Sequence, residues 1–160
     1  MKKFTLNIKM CLSLMMCLVF MAFSTAMNLD EQTVFIQKML MEHYDESASP
    51  VQIKRYEINV TNTGFCRYKR FFAKGKVEYF SFNLLKFKDL DYYGNDKKGT
   101  LLIRTLGDDV IVQTYNDKEG GDIDSMASYM SIPLKNIEAH DLISISERMV
   151  KMNALLLAQK

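Results

Sequence analysis

The sequence predicts an α+β fold: an N-terminal helix, an antiparallel meander of five to six strands, and a long C-terminal helix packed on the sheet. Three observations lead there. Apolar residues recur at helical spacing near both ends of the chain. Short β-prone runs punctuated by turn residues fill the middle. The order helix, meander, helix places the helices on one face of an antiparallel sheet.

A different kind of segment precedes the first helix. Lys2, Lys3 and Lys9 give a positive start, Met10 to Phe23 is an apolar run broken only by Ser13, and Ser24-Thr25-Ala26 has a small-x-small pattern. This is the layout of a secretory signal sequence. The run is about 14 residues, short of the ~20 a spanning helix needs. The expectation is a signal peptide over 1–26, cleaved near Ala26, with export to the periplasm or the exterior. Cys17 follows Met16, where a lipidation motif wants a small residue, so lipidation is not expected. Residues 27–160 then form one α+β domain, a length sufficient for one core.

Cleavage changes the charge. Three of the 21 basic residues fall in the signal, leaving 18 against 19 acidic residues, a net charge of −1. A nucleic-acid partner needs a basic excess on one face, so none is expected. Cys11 and Cys17 leave as well, and Cys66 is then alone, without an internal disulfide to form. It is either buried as a small hydrophobe or paired between chains.

The first helix is expected from Asn28 or Asp30 to about Tyr44, with Leu29, Thr33, Ile36 and Leu40 on one side and Phe35 and Met39 beside them. Pro50 stops it. The first strand lies in "QIKRYEINVT", where Tyr56, Ile58 and Val60 alternate with Arg55, Glu57 and Asn59. Asn62-Thr63-Gly64 is a turn, and "FCRYKRFF" is the second strand. After the turn "AKGK", the run "VEYFSFNLLKFKDLDYY" reads as one long strand. "TLLIRTL" and "VIVQTY" follow, separated by a tight turn at Gly107-Asp108-Asp109, and a sixth short strand over Tyr129 to Ile132 ends at Pro133. The C-terminal helix spans Glu138 to Gln159. Leu142, Ile145, Met149, Met152 and Leu156 form its stripe, Ile143, Val150 and Leu157 widen it, and Arg148, Lys151 and Lys160 suit its C-terminal half.

The fourth and fifth runs are apolar on both faces: Leu101 and Ile103 against Leu102 and Leu106, then Val110 and Val112 against Ile111 and Tyr115. Such a sheet is closed by its own curvature, by a partner subunit, which allows a homodimer, or by a ligand. The candidate binding face is Phe80, Phe82 and Leu84, or Ile103 and Val112.

Chemistry is thinly marked. "YNDKEGGDIDSM" offers Asp117, Glu119, Asp122 and Asp124 as oxygen ligands, but a calcium loop opening at Asp117 would need Gly at 122 and Glu at 128, where Asp and Ser stand. A solvated glycine turn is the better reading. Cys66 with His43 or His140 is the one nucleophile–base pairing available, and Cys66 sits on a strand with nothing to lower its pKa. Asn59-Val60-Thr61 fits a glycosylation acceptor. In "FCRYKRFF", alternation sets Arg67 and Lys69 opposite Tyr68, Arg70 and Phe72, which favours sheet packing over a base-stacking or lipid-binding patch. No cofactor is implied. The expectation is a non-enzymatic exported domain that binds a protein partner or a small apolar ligand, with a Cys66-dependent hydrolase as the alternative.

Overall fold

The computed structural model describes Met15, Met16 and residues 29–159. The expected signal peptide therefore lies outside the described residues, except for Met15 and Met16, which are helical; so do Cys11, Cys17 and Lys160. The chain runs α1 (29–42), β1 (Ile53–Val60), β2 (Phe65–Phe72), β3 (Val77–Asn83), β4 (Phe87–Gly94), β5 (Lys98–Thr105), β6 (Val110–Tyr115), β7 (Asp124–Ala127), β8 (Tyr129–Lys135) and α2 (Ala139–Leu157). Eight antiparallel strands form a five-stranded sheet, β1-β2-β3-β6-β7, and a three-stranded sheet, β4-β5-β8. The α+β class is as the sequence predicts. The path of the chain between strands differs from a simple meander.

The first difference lies within Val77 to Tyr93, which is two strands rather than one. A single 3-10 turn over Leu84–Lys86 breaks it, and Asn83 Oδ1 accepts from Leu85 N at 2.9 Å to cap that turn. Leu84 is buried at the corner, and its N–H donates to Gly64 O at 2.7 Å. The chain thus leaves the five-stranded sheet after β3 and enters the three-stranded one. It returns to the five-stranded sheet between β5 and β6, over residues 106–109, and crosses once more between β7 and β8 at Ser128, whose carbonyl accepts from Thr105 N and Thr105 Oγ1.

β7 has little sequence signal, because Asp-Ser-Met-Ala carries no apolar alternation. Its pairing with β6, from Val110↔Ala127 to Gln113↔Asp124, makes it a strand. β8 continues through Pro133 to Lys135. Pro133 O points away from β5 and accepts from Asp45 N at 3.0 Å, so the missing N–H falls on the outer edge, where proline is tolerated. Residues 43–45 cover that edge, with Lys135 N donating to His43 O at 2.7 Å.

Both sheets turn their inner faces to one core. Ile58, Val60, Cys66, Tyr68 and Phe82 come from one sheet, Leu101, Ile103, Met130, Ile132 and Leu134 from the other. α1 supplies Leu29, Ile36 and Leu40, and α2 supplies Ile145, Met149, Met152 and Leu156. In α1 the residue that joins this stripe is Gln32 rather than Thr33; its Oε1 accepts from Arg148 Nη1 at 2.9 Å, which satisfies a buried amide. Arg148 also pairs with Glu31, so it ties α2 to α1 rather than resting against its own helix end. Curvature closes the inner face. The outer residues of the two-faced strands are left half-buried or exposed: Leu102, Leu106, Ile111 and Tyr115. Among the described residues no helix is long and apolar enough to cross a membrane.

Candidate functional site

A cleft of about 640 Å³ opens at one end of the five-stranded sheet's inner face. Three segments build it. β2 and β3, with their connecting turn, contribute Arg70, Phe72, Lys74, Lys76 and Glu78; the β6–β7 loop contributes Asn116 to Gly120; and Ser49, Pro50 and Val51 close the remaining side before β1. The hairpin explains the floor. Phe72 N donates to Lys76 O, and the register then sets Arg70 directly opposite Glu78, with Thr114 of β6 beyond.

Charges in the cleft are chained. Arg70 Nη2 pairs with Glu78 Oε2, Lys76 Nζ reaches Glu78 at 3.2 Å and Asp117 at 2.8 Å, and Lys74 meets Glu119 at 3.3 Å. Lys118 has no carboxylate partner among the described residues. Four cations therefore face three carboxylates. The Arg70 guanidinium lies between the Tyr68, Phe72 and Phe80 rings at 5.5–5.7 Å, and its buried Nε has no acceptor. Such contacts with aromatic faces stabilise a partly desolvated cation.

The acidic stretch that looked like metal ligands serves the turn instead. Asp117 Oδ1 accepts from Gly120 N at 3.0 Å and Glu119 N at 3.2 Å, while Asp122 Oδ1 accepts from Asp117 N at 3.0 Å. Asp124 accepts from Gln113 Nε2. Asn116 and Gly121 take positive φ, 58° and 77°, which lets the loop fold back over the hairpin. The hydrogen bond from Lys76, then the loop N–H groups, hold the Asp117 carboxyl down at about 2. The four carboxylates Asp117, Glu119, Asp122 and Asp124 thus have separate partners, and no group of three or more potential metal ligands converges among the described residues.

The candidates for an apolar face are split. Phe82, Leu84 and Ile103 are buried in the core, because the sheets curl around the face on which they lie. Phe80 and Val112 pair across β3 and β6 at the core margin, half-buried. Phe80 stacks on Tyr68 and sits beside Arg70, so this pair borders the cleft without lining it. Tyr68 OH and Tyr44 OH are 2.7 Å apart inside the core.

Cys66 is fully buried, and burial pushes its thiol up to about 12. His43 Nδ1 is 3.2 Å from Lys135 O, and His140 lies among Glu138 and Asp141; neither hydrogen-bonds Cys66. The thiolate that a nucleophile requires is therefore disfavoured. Phe65, Arg67, Lys69 and Phe71 face outward, as alternation implies, with Arg67 over Phe65 and Lys69 over Phe71. Asn59 is exposed beside them on β1.

The sequence does mark the cleft, in a way that spotting single motifs misses. "RFFAKGKVE" places opposite charges at equal distances from the centre of a turn, so any hairpin closing there brings Arg70 against Glu78. Compared with known proteins, the chain matches no family model, no curated protein and no solved structure, and its own geometry carries the functional reading.

Proposed function

We propose that this is an exported, non-enzymatic binding module whose cleft takes a small amphipathic ligand: an apolar body carrying an anionic group. The cleft itself supports this, with four cations against three carboxylates above the apolar surface of Pro50, Val51 and Phe72. Its volume falls in the range of small-molecule sites, which are concave and combine apolar walls with a few convergent polar groups. Relative to the sequence expectation, the ligand gains a charge and its site moves from the apolar strands to the hairpin end. The burial of Cys66 weighs against the hydrolase alternative, and export remains the reading of the first 26 residues.

Titration with the fluorescent probe 1-anilinonaphthalene-8-sulfonate tests it. The folded chain is expected to bind the probe saturably, and Lys74→Glu/Lys118→Glu, both at exposed rim positions, to weaken binding at least several-fold with unchanged melting. Equal binding by the parent and this variant would refute the assignment. Native mass spectrometry of the protein from its own compartment would identify the natural ligand as an added mass.

A further inference from the structure

On a different surface, α2 carries a row that the core does not use. Ile143, Val150 and Leu157 are 58%, 55% and 53% exposed, although all three are large aliphatics on a 19-residue helix. Their seven-residue spacing puts them on one line about 21 Å long at a rise of ~1.5 Å per residue. The core stripe, Ile145, Met149, Met152 and Leu156, lies on the opposite side of the helix. Arg148 marks the flank turned to α1, where it meets Glu31 and Gln32.

We infer that this row is the interface of a homodimer in which two copies of α2 pair antiparallel about a two-fold axis at Val150. The spacing is self-complementary. Ile143 and Leu157 are equidistant from Val150, so an antiparallel copy sets Ile143 against the partner's Leu157, Leu157 against the partner's Ile143, and Val150 against itself. This is the isologous arrangement a two-fold axis requires. Ala154, exposed beside the row, is small enough to let the helices approach.

Charge agrees with this register. Glu147 and Lys151 are exposed on the same flank of the row, and among the described residues neither forms an ion pair, although Lys151 adds to the pull of Arg148 on Glu31. Antiparallel pairing about Val150 brings Glu147 within one helical turn of the partner's Lys151, twice by symmetry. Parallel pairing would instead set these flanks on opposite sides of the interface, where Glu147 and the partner's Lys151 do not meet. A lipid surface fits less well, since helices lying in a membrane interface favour a polar face rich in Lys and Arg. One helix pair buries little area, so the dimer is weak and concentration-dependent.

Analytical ultracentrifugation over a wide concentration range is the first test, with Val150→Glu as the variant. The parent is expected to pass from monomer to dimer with rising concentration, and Val150→Glu to remain monomeric with the same melting curve. Cysteine cross-linking tests the register, in a chain carrying Cys11→Ser and Cys17→Ser so that buried Cys66 is the only native thiol. Val150→Cys should cross-link with itself. Ile143→Cys should not, except when mixed with Leu157→Cys. A chain that stays monomeric throughout would overturn the inference, as would Ile143→Cys linking to itself as readily as Val150→Cys. Capture of the monomer on phosphatidylglycerol vesicles, lost in Val150→Glu, would overturn it too and assign the row to a bilayer.

Discussion

Asp117 shows how one side chain can hold a loop and set a pH response. Its carboxylate is 12% exposed, bridges to Lys76 and accepts two loop N–H groups. In the folded chain it titrates at about 2, below its ordinary 3.8. A carboxyl depressed by folding contributes stability that is fully present above the ordinary value and is lost as pH falls through the folded value. Asp117→Asn is therefore expected to melt below the parent at neutral pH, with the gap closing between pH 3.8 and about 2. Thermal melts across that range check it, and a gap that stays constant would remove Lys76 from the account. The residue types of this loop were legible as a glycine turn. Its partner was not, because Lys76 lies 41 positions earlier and only the fold joins β3 to β6.

The elements were legible in proportion to their periodicity. α2 declares itself through five stripe residues in unbroken 3-4 spacing, and four of them are buried. Leu156 is the sharpest case, since its Cδ1 would lie 2.5 Å from a Cβ added at Gly64, the positive-φ residue of the β1–β2 turn. That contact locks the end of α2 onto the first hairpin. Leu156→Asp would bury an unpaired carboxylate there and should cost about 4 kcal/mol. Denaturant unfolding measures it, and a variant as stable as the parent would displace α2 from the core. The corner at Leu84–Lys86 was invisible for the opposite reason. "SFNLLKF" has neither Gly nor Pro, and it bends because Asn83 offers an oxygen to Leu85 N while Leu84 fills the core. A tertiary contact decides there, not a local breaker.

At the scale of the molecule, two sheets share one interior, and Cys66 reports on its integrity. A fully buried thiol that titrates at about 12 is protected from alkylation for as long as the core is closed. Labelling by iodoacetamide at mild alkaline pH is expected to be negligible in native buffer and to rise along the same denaturant curve as the loss of circular dichroism. Fast labelling of the native protein would mean a local opening at β2 that the packing does not provide for. The α+β class followed from element order alone. The division into two sheets did not, since the chain changes sheet at residues 84–86, 106–109 and 128, and the pairings β3–β6 and β5–β8 join strands distant in sequence.

Those crossings also govern when the protein can fold at all. β5 waits for β8 as its second neighbour, and β8 and α2 together bring Met130, Ile132, Leu134, Ile145, Met149, Met152 and Leu156 to the core. A chain delivered N-terminus first, from a ribosome or through a translocation channel, keeps Leu101 and Ile103 uncovered until residues 129–157 emerge. Folding is in effect postponed until β8 and α2 are delivered, and a nascent chain in that condition remains threadable.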